Sequence, residues 1–209
     1  MGILLERPLV EDPAAHLAWA HALVRDWFLA KFGWPTEPQI EGWPPIVSGK
    51  DTLISAPTGS GKTLAAFLAC IDRLVRKALD GRLQDCTEVL YISPLKALGN
   101  DIQKNLEVPL GEIQALAGER GLLMPTLRAA VRTGDTLMHE RRALLKKPPH
   151  ILVTRHDMLH YSSCPGAMKK RRPLNHTKGH VGISLSISSV SRMVSLIATT
   201  MRCQCCKSS

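Results

Sequence analysis

The chain has 209 residues, 44% of them hydrophobic, which supports one ordinary domain with a buried core and excludes disorder throughout. Its net charge is +9, but residues 155–209 hold nine Lys and Arg against the single acid Asp157, so they carry +8 and the rest only +1. Bulk charge therefore makes no case that the globular part meets nucleic acid, and an aromatic content of 4% argues against a broad stacking surface.

In chain order, Asp12-Pro13 is a helix opening: an N-cap acceptor, then a residue that needs no donor in the first turn. Leu17, Ala20, Val24, Trp27 and Phe28 follow at helical spacing, and Gly33 supplies a left-handed stop. The string Pro35-Thr36-Glu37-Pro38 breaks the chain, and Gln39 begins another short helical stretch. Thr52-Leu53-Ile54-Ser55 reads as a buried strand, residues 62–79 as a helix ending near Gly81, and Val89-Leu90-Tyr91-Ile92 as a second strand. A helix over 97–106, a third strand over 127–131 and a fourth over 150–154 complete the pattern. Apolar runs alternating with helices predict an α/β domain with a parallel sheet covered on both faces.

Between the first strand and its helix lies Ala56-Pro57-Thr58-Gly59-Ser60-Gly61-Lys62-Thr63, a phosphate-binding P-loop with alanine at the usual first glycine. Glycines let the backbone curl so that successive N–H groups face phosphate, and the helix N-terminus adds partial positive charge. A lysine at this place reaches the β- and γ-phosphates of a nucleotide, and the following hydroxyl, Thr63, meets Mg²⁺. By itself the loop specifies nucleotide binding and no more.

Its neighbours narrow the choice. Phe32-Gly33-Trp34-Pro35-Thr36-Glu37-Pro38-Gln39 before this P-loop resembles the Q motif of superfamily 2 helicases, in which a glutamine amide meets the adenine edge. Tyr91-Ile92-Ser93-Pro94-Leu95-Lys96-Ala97-Leu98 resembles helicase motif Ia. Arg132-Thr133-Gly134-Asp135-Thr136 resembles the next backbone-contact motif, and Pro148 to Thr154 the lead into motif Ib. Together they look like the large helicase-related group of DEAD/DEAH proteins over roughly residues 15–154. The resemblance implies an incomplete RecA-like lobe, with ATP and Mg²⁺ as cofactors. It assigns adenine to Gln39, phosphates to Ala56, Pro57, Thr58, Gly59, Ser60, Gly61, Lys62 and Thr63, and the metal to Thr63. Pro94, Lys96, Arg132 and Gly134 become contacts to a DNA or RNA backbone, which reads no base.

After Thr154 the family continues Pro-Glu, whereas this chain has Arg155-His156-Asp157, and no Asp-Glu-x-His string occurs in the 209 residues. The family's magnesium-holding aspartate and water-activating glutamate are therefore unassigned, and the expectation is binding without hydrolysis, with no catalytic residue to name. Residues 155–209 hold ten serines and four of the six cysteines without a helical or strand period, and read as an irregular basic tail from a reading-frame shift near codon 155. In that tail, Cys203-Gln204-Cys205-Cys206 with Cys164 lacks the spacing that zinc sites favour, and Lys169-Lys170-Arg171-Arg172 reads as a solvated run. Six cysteines without an export signal suggest a cytoplasmic setting, and no run of about 18 uncharged apolar residues suggests a membrane span. No specific protein partner can be inferred. Two rival readings stay open: a P-loop phosphotransferase acting on a small substrate, and a non-enzymatic protein that grips nucleic acid with its basic tail.

Overall fold

The computed structural model describes residues 12–57, 59–93, 96–155, 182–185 and 196–199. A 3₁₀ turn over Ala15–Leu17 leads to helices α1 (Ala22–Phe32), α2 (Glu37–Val47) and α3 (Lys62–Leu79). Strand β1 (Val89–Ser93), helix α4 (Lys96–Glu119), strand β2 (Ala129–Arg132), helix α5 (Met138–Lys146) and strand β3 (Ile151–Arg155) follow in alternation. Two short strands, β4 (Gly182–Leu185) and β5 (Leu196–Thr199), complete a five-stranded sheet of order β2-β3-β1-β5-β4.

The α/β reading stands. Strands β1, β2 and β3 are parallel, in the register Tyr91↔Val153 and Val131↔Val153, with helices between them in sequence. Their inner positions, Val89, Tyr91, Ile151 and Val153, are buried in one core with Leu68, Ile71 and Val75 of α3 and Leu106, Leu110 and Ile113 of α4. Helix α3 has the bounds that its sequence predicts because its apolar face is wide and its ends are marked: Gly61 and Gly81 both take positive φ.

Four expectations need correction. Residues 52–55 do not form a strand. Thr52 and Ile54 face inward while Leu53 is 63% exposed, and Ile54 packs beneath Gly42 of α2, where an added Cβ would come within 2.6 Å of its side chain. An apolar run becomes a fully buried strand only where neighbours cover both its faces, and here only one side is covered. The first helix is also interrupted. The Ala15–Leu17 turn ends, and α1 restarts with His21, whose Nδ1 accepts from Leu23 N at 3.2 Å while its own N–H donates to Asp72 of α3 at 2.5 Å. That bond from a distant helix fixes a break where local periodicity reads straight through.

Helix α4 continues past Leu106 to Glu119 despite Pro109, since a proline removes one donor but the apolar face with Leu110, Ile113 and Ala117 persists. The tail, expected to be irregular, supplies two strands: β5 pairs antiparallel with β1, and β4 with β5. The cysteine group and the Lys169–Arg172 run lie outside the described residues. Among the described residues no helix is long and apolar enough to cross a membrane.

Candidate nucleotide and nucleic-acid site

Helix α3 leads back to the start of β1, so its N-terminus stands at the carboxyl ends of the parallel strands. Open α/β sheets place their ligands at that end. Gly59 (φ 84°) and Gly61 (φ 82°) carry the P-loop through conformations that side-chain-bearing residues rarely adopt. A Cβ added at Gly59 would meet nothing within 4 Å, so the loop opens there.

Lys62 is 5% exposed, and its ammonium donates to the carbonyls of Ala56 and Pro57 and to Ser60 Oγ at 3.3 Å. Burial pulls its pKa below the ordinary lysine value. A buried ammonium held only by neutral oxygens gains from any anion that reaches it, so the loop fits a phosphate. Thr63 is half-buried in the first turn of α3. Among the described residues no group of three His, Cys, Asp or Glu could hold a metal ion. Thr63 is the residue of this loop whose hydroxyl could meet a Mg²⁺. Thr58 lies outside the described residues.

Gln39 comes to the P-loop from 22 residues upstream. It is 3% exposed; its Oε1 accepts from Thr36 N at 2.9 Å, which caps α2, and its Nε2 donates to Gly61 O at 3.3 Å. Those bonds use one of the two N–H groups of the amide and one lone pair. Thr36, not among the residues that the motifs single out, closes the same clasp by donating from Oγ1 to Ser60 O at 2.8 Å. Its signal was present in the Thr-x-x-Gln spacing of a capping box.

The nucleic-acid candidates fall at the carboxyl ends of β1 and β2. Lys96 is the first residue of α4, though its side chain, like Pro94, lies outside what is described. Arg132 ends β2, and its carbonyl accepts from Thr154 Oγ1 of β3 at 3.0 Å. Burial, and then the neighbouring Arg141 guanidinium, disfavour the charge on Arg132. Gly134 and Asp135 form the exposed tip of the turn that follows. Arg141 reaches this turn from α5, a helix that sequence reading missed because none of its residues is buried and it has no apolar stripe.

Comparison with known proteins decides the family. The DEAD/DEAH box helicase model matches residues 36–181, well over half of the chain. The chain belongs to that family. The match runs beyond Thr154, where the motif-by-motif resemblance stops. "ATP-dependent helicase Lhr-Core protein 2" of Thermococcus barophilus is 52% identical over 136 residues, which are 65% of this chain and 16% of that protein. "Lhr helicase/ probable uracil glycosylase" of Mycolicibacterium smegmatis is 47% identical over 138 residues, 66% of this chain and 9% of its own length. The chain thus spans less than a fifth of the length of these relatives.

Among solved structures, the Mycobacterium smegmatis helicase Lhr bound to ssDNA and AMP-PNP matches with a TM-score of 0.62 and 46% identity, over 67% of this chain and 17% of that one. The DEAD-box helicase Mss116, at 17% identity and a TM-score of 0.56 over 70% of this chain and 28% of its own, shares the fold. The helicase resemblance drawn from the motifs and the RecA-like α/β expectation are both borne out.

Proposed function

We propose that this chain binds ATP with Mg²⁺ at the P-loop and a nucleic-acid backbone across the ends of β1 and β2, and that alone it neither hydrolyses ATP nor unwinds. The observation that carries the nucleotide half is the Lys62 ammonium, buried among loop carbonyls at the N-terminus of α3 and joined to the Q-motif glutamine through Gly61. Phosphate would exchange those neutral acceptors for charged ones. Gln39 keeps one donor and one acceptor with which to meet an adenine edge. The DNA- and AMP-PNP-bound relative, 46% identical, supports the same two ligands here. A reducing, cytoplasmic setting agrees with ATP and nucleic acid as partners.

The hydrolytic half rests on the absence of Asp-Glu-x-His from the 209 residues. In phosphoryl transfer such an acidic pair holds Mg²⁺ and orients the attacking water, and without that string bound ATP should persist. The test is calorimetric titration with ATP and ADP, beside a phosphate-release assay. Lys62→Ala should weaken nucleotide binding roughly ten- to hundredfold, the scale of lost hydrogen bonds to charged groups. Wild-type chain should release no phosphate above background, with or without DNA. Equal affinity in both chains would overturn the site, and turnover that vanishes in Lys62→Ala would show that a catalytic carboxylate is present, with Asp135 and Glu140 the first to examine.

A further inference from the structure

The turn that follows β2 is held from outside itself. Thr133 N donates to Thr136 Oγ1 at 2.8 Å and Thr136 N to Thr133 O at 3.3 Å, which closes the turn locally. Arg141, half-buried in the first turns of α5, then spans it: Nε donates to Thr136 O at 2.8 Å and Nη2 to Gly134 O at 2.7 Å. Glu140, next to it, accepts from Leu137 N at 2.9 Å and so fixes the start of the helix that carries the guanidinium. Two carbonyl oxygens at an exposed tip would repel an approaching phosphate. A guanidinium bonded to both neutralises them and adds a second cation beside Arg132.

We infer that Arg141 is a positioning residue for nucleic-acid binding, whose forked bonds to Gly134 O and Thr136 O hold the 132–136 turn in the shape that receives a backbone phosphate. This rests on the proposed reading of that turn as a nucleic-acid contact. The planar fork is the essential part: a lysine keeps the charge but cannot hold two carbonyls in fixed geometry. Arg132 is the contacting cation, and Arg141 acts through the turn.

The experiment uses the 209-residue chain and a fluorescein-labelled single-stranded thymidine oligonucleotide, with anisotropy followed across a salt series. Arg132→Gln should weaken binding and lower the salt slope by about one, as expected for one lost phosphate contact. Arg141→Ala should weaken binding about tenfold, and Arg141→Lys should stay nearly as weak. Both Arg141 variants should speed amide exchange over residues 133–136 while ADP affinity at the P-loop is unchanged. Full recovery of binding in Arg141→Lys would overturn the inference, since charge alone would then suffice. So would unchanged exchange in the turn, or a loss of ADP affinity that matches the loss of DNA affinity, because either makes the effect nonlocal. If Arg132→Gln weakens binding and Arg141→Ala does not, the positioning role fails and the contact reading stands. If wild-type chain does not bind the oligonucleotide, both fail together.

Discussion

The two glycines of the P-loop have similar backbone angles but unequal surroundings, and the difference separates two jobs within one motif. Gly59 and Gly61 both sit near φ +80°, where an L side chain costs about 1–2 kcal/mol. At Gly59 an added methyl meets open space. At Gly61 it would lie 2.5 Å from Gln39 Nε2 and 3.1 Å from Thr36 Oγ1, so the Q-motif clasp would have to open. Gly59→Ala should therefore lose only that backbone cost in thermal stability. Gly61→Ala should lose more, and should also lower ADP affinity by dislodging Gln39 and Lys62 together. Calorimetry on the two purified variants checks this, and equal behaviour would mean that the clasp does not shape the loop. The phosphate cradle was legible in the sequence because its chemistry is local to eight consecutive residues. The clasp was legible only as two separate hints, since Thr36 and Ser60 meet across a fold that spacing does not reveal.

At the scale of elements, a histidine joins the amino ends of three strands. His150 is 1% exposed; its Nδ1 accepts from Arg128 N at 3.0 Å, its N–H donates to Arg128 O at 2.9 Å, and its carbonyl accepts from Glu88 N and Val89 N, each at 3.0 Å. An Nδ1 that accepts must be unprotonated, so the folded sheet needs the neutral ring. Burial, and then the Arg128 guanidinium, push its pKa below the ordinary 6.5, against a smaller opposite pull from Asp85 and Glu88. The unfolded chain thus binds a proton more readily than the folded one. The stability that this provides is whole above about pH 6.5 and is lost as pH falls from there towards the folded value. Urea midpoints between pH 7.5 and 5.5 should fall for wild type, and less steeply for His150→Gln, which accepts from Arg128 N without titrating. Parallel slopes would place the acid sensitivity elsewhere. Such a hub is hidden from sequence, where His150 reads only as the polar start of an apolar strand. Helix α5 was hidden for the opposite reason, since a helix with no buried residue leaves no periodic mark.

Over the whole molecule, the outstanding question is what covers the edge of β1 that faces away from β3. Residues 52–55, expected as a strand of this sheet, form none and leave that edge to another segment. The tail, expected to be irregular, pairs with that edge of β1: Leu90 with Thr199, Tyr91 with Ala198 and Ile92 with Ile197. The pairing is antiparallel in a sheet whose other β1 neighbour is parallel, and β5 is backed by β4. An unpaired edge presents a row of N–H and C=O groups that templates association with another chain. If β5 covers this edge, the amides of residues 90–92 should exchange slowly in a dilute monomer, while those of residues 52–55, in no strand, should exchange fast. Successive N–H groups of a strand point to opposite edges and proline cannot donate to a ladder, so the double variant Ile197→Pro/Ala198→Pro should strip a central donor from the pairing with β1. The variant should then lose protection at those amides of residues 90–92 that face β5, keep it at those that face β3, and sediment as larger species at rising concentration, with residues 52–55 unaffected. Slow exchange over residues 52–55 in the wild-type monomer would instead assign the covering strand to that segment. Exchange that is unchanged at every amide of residues 90–92 in the double-proline variant would mean that β5 contributes nothing to closing the sheet.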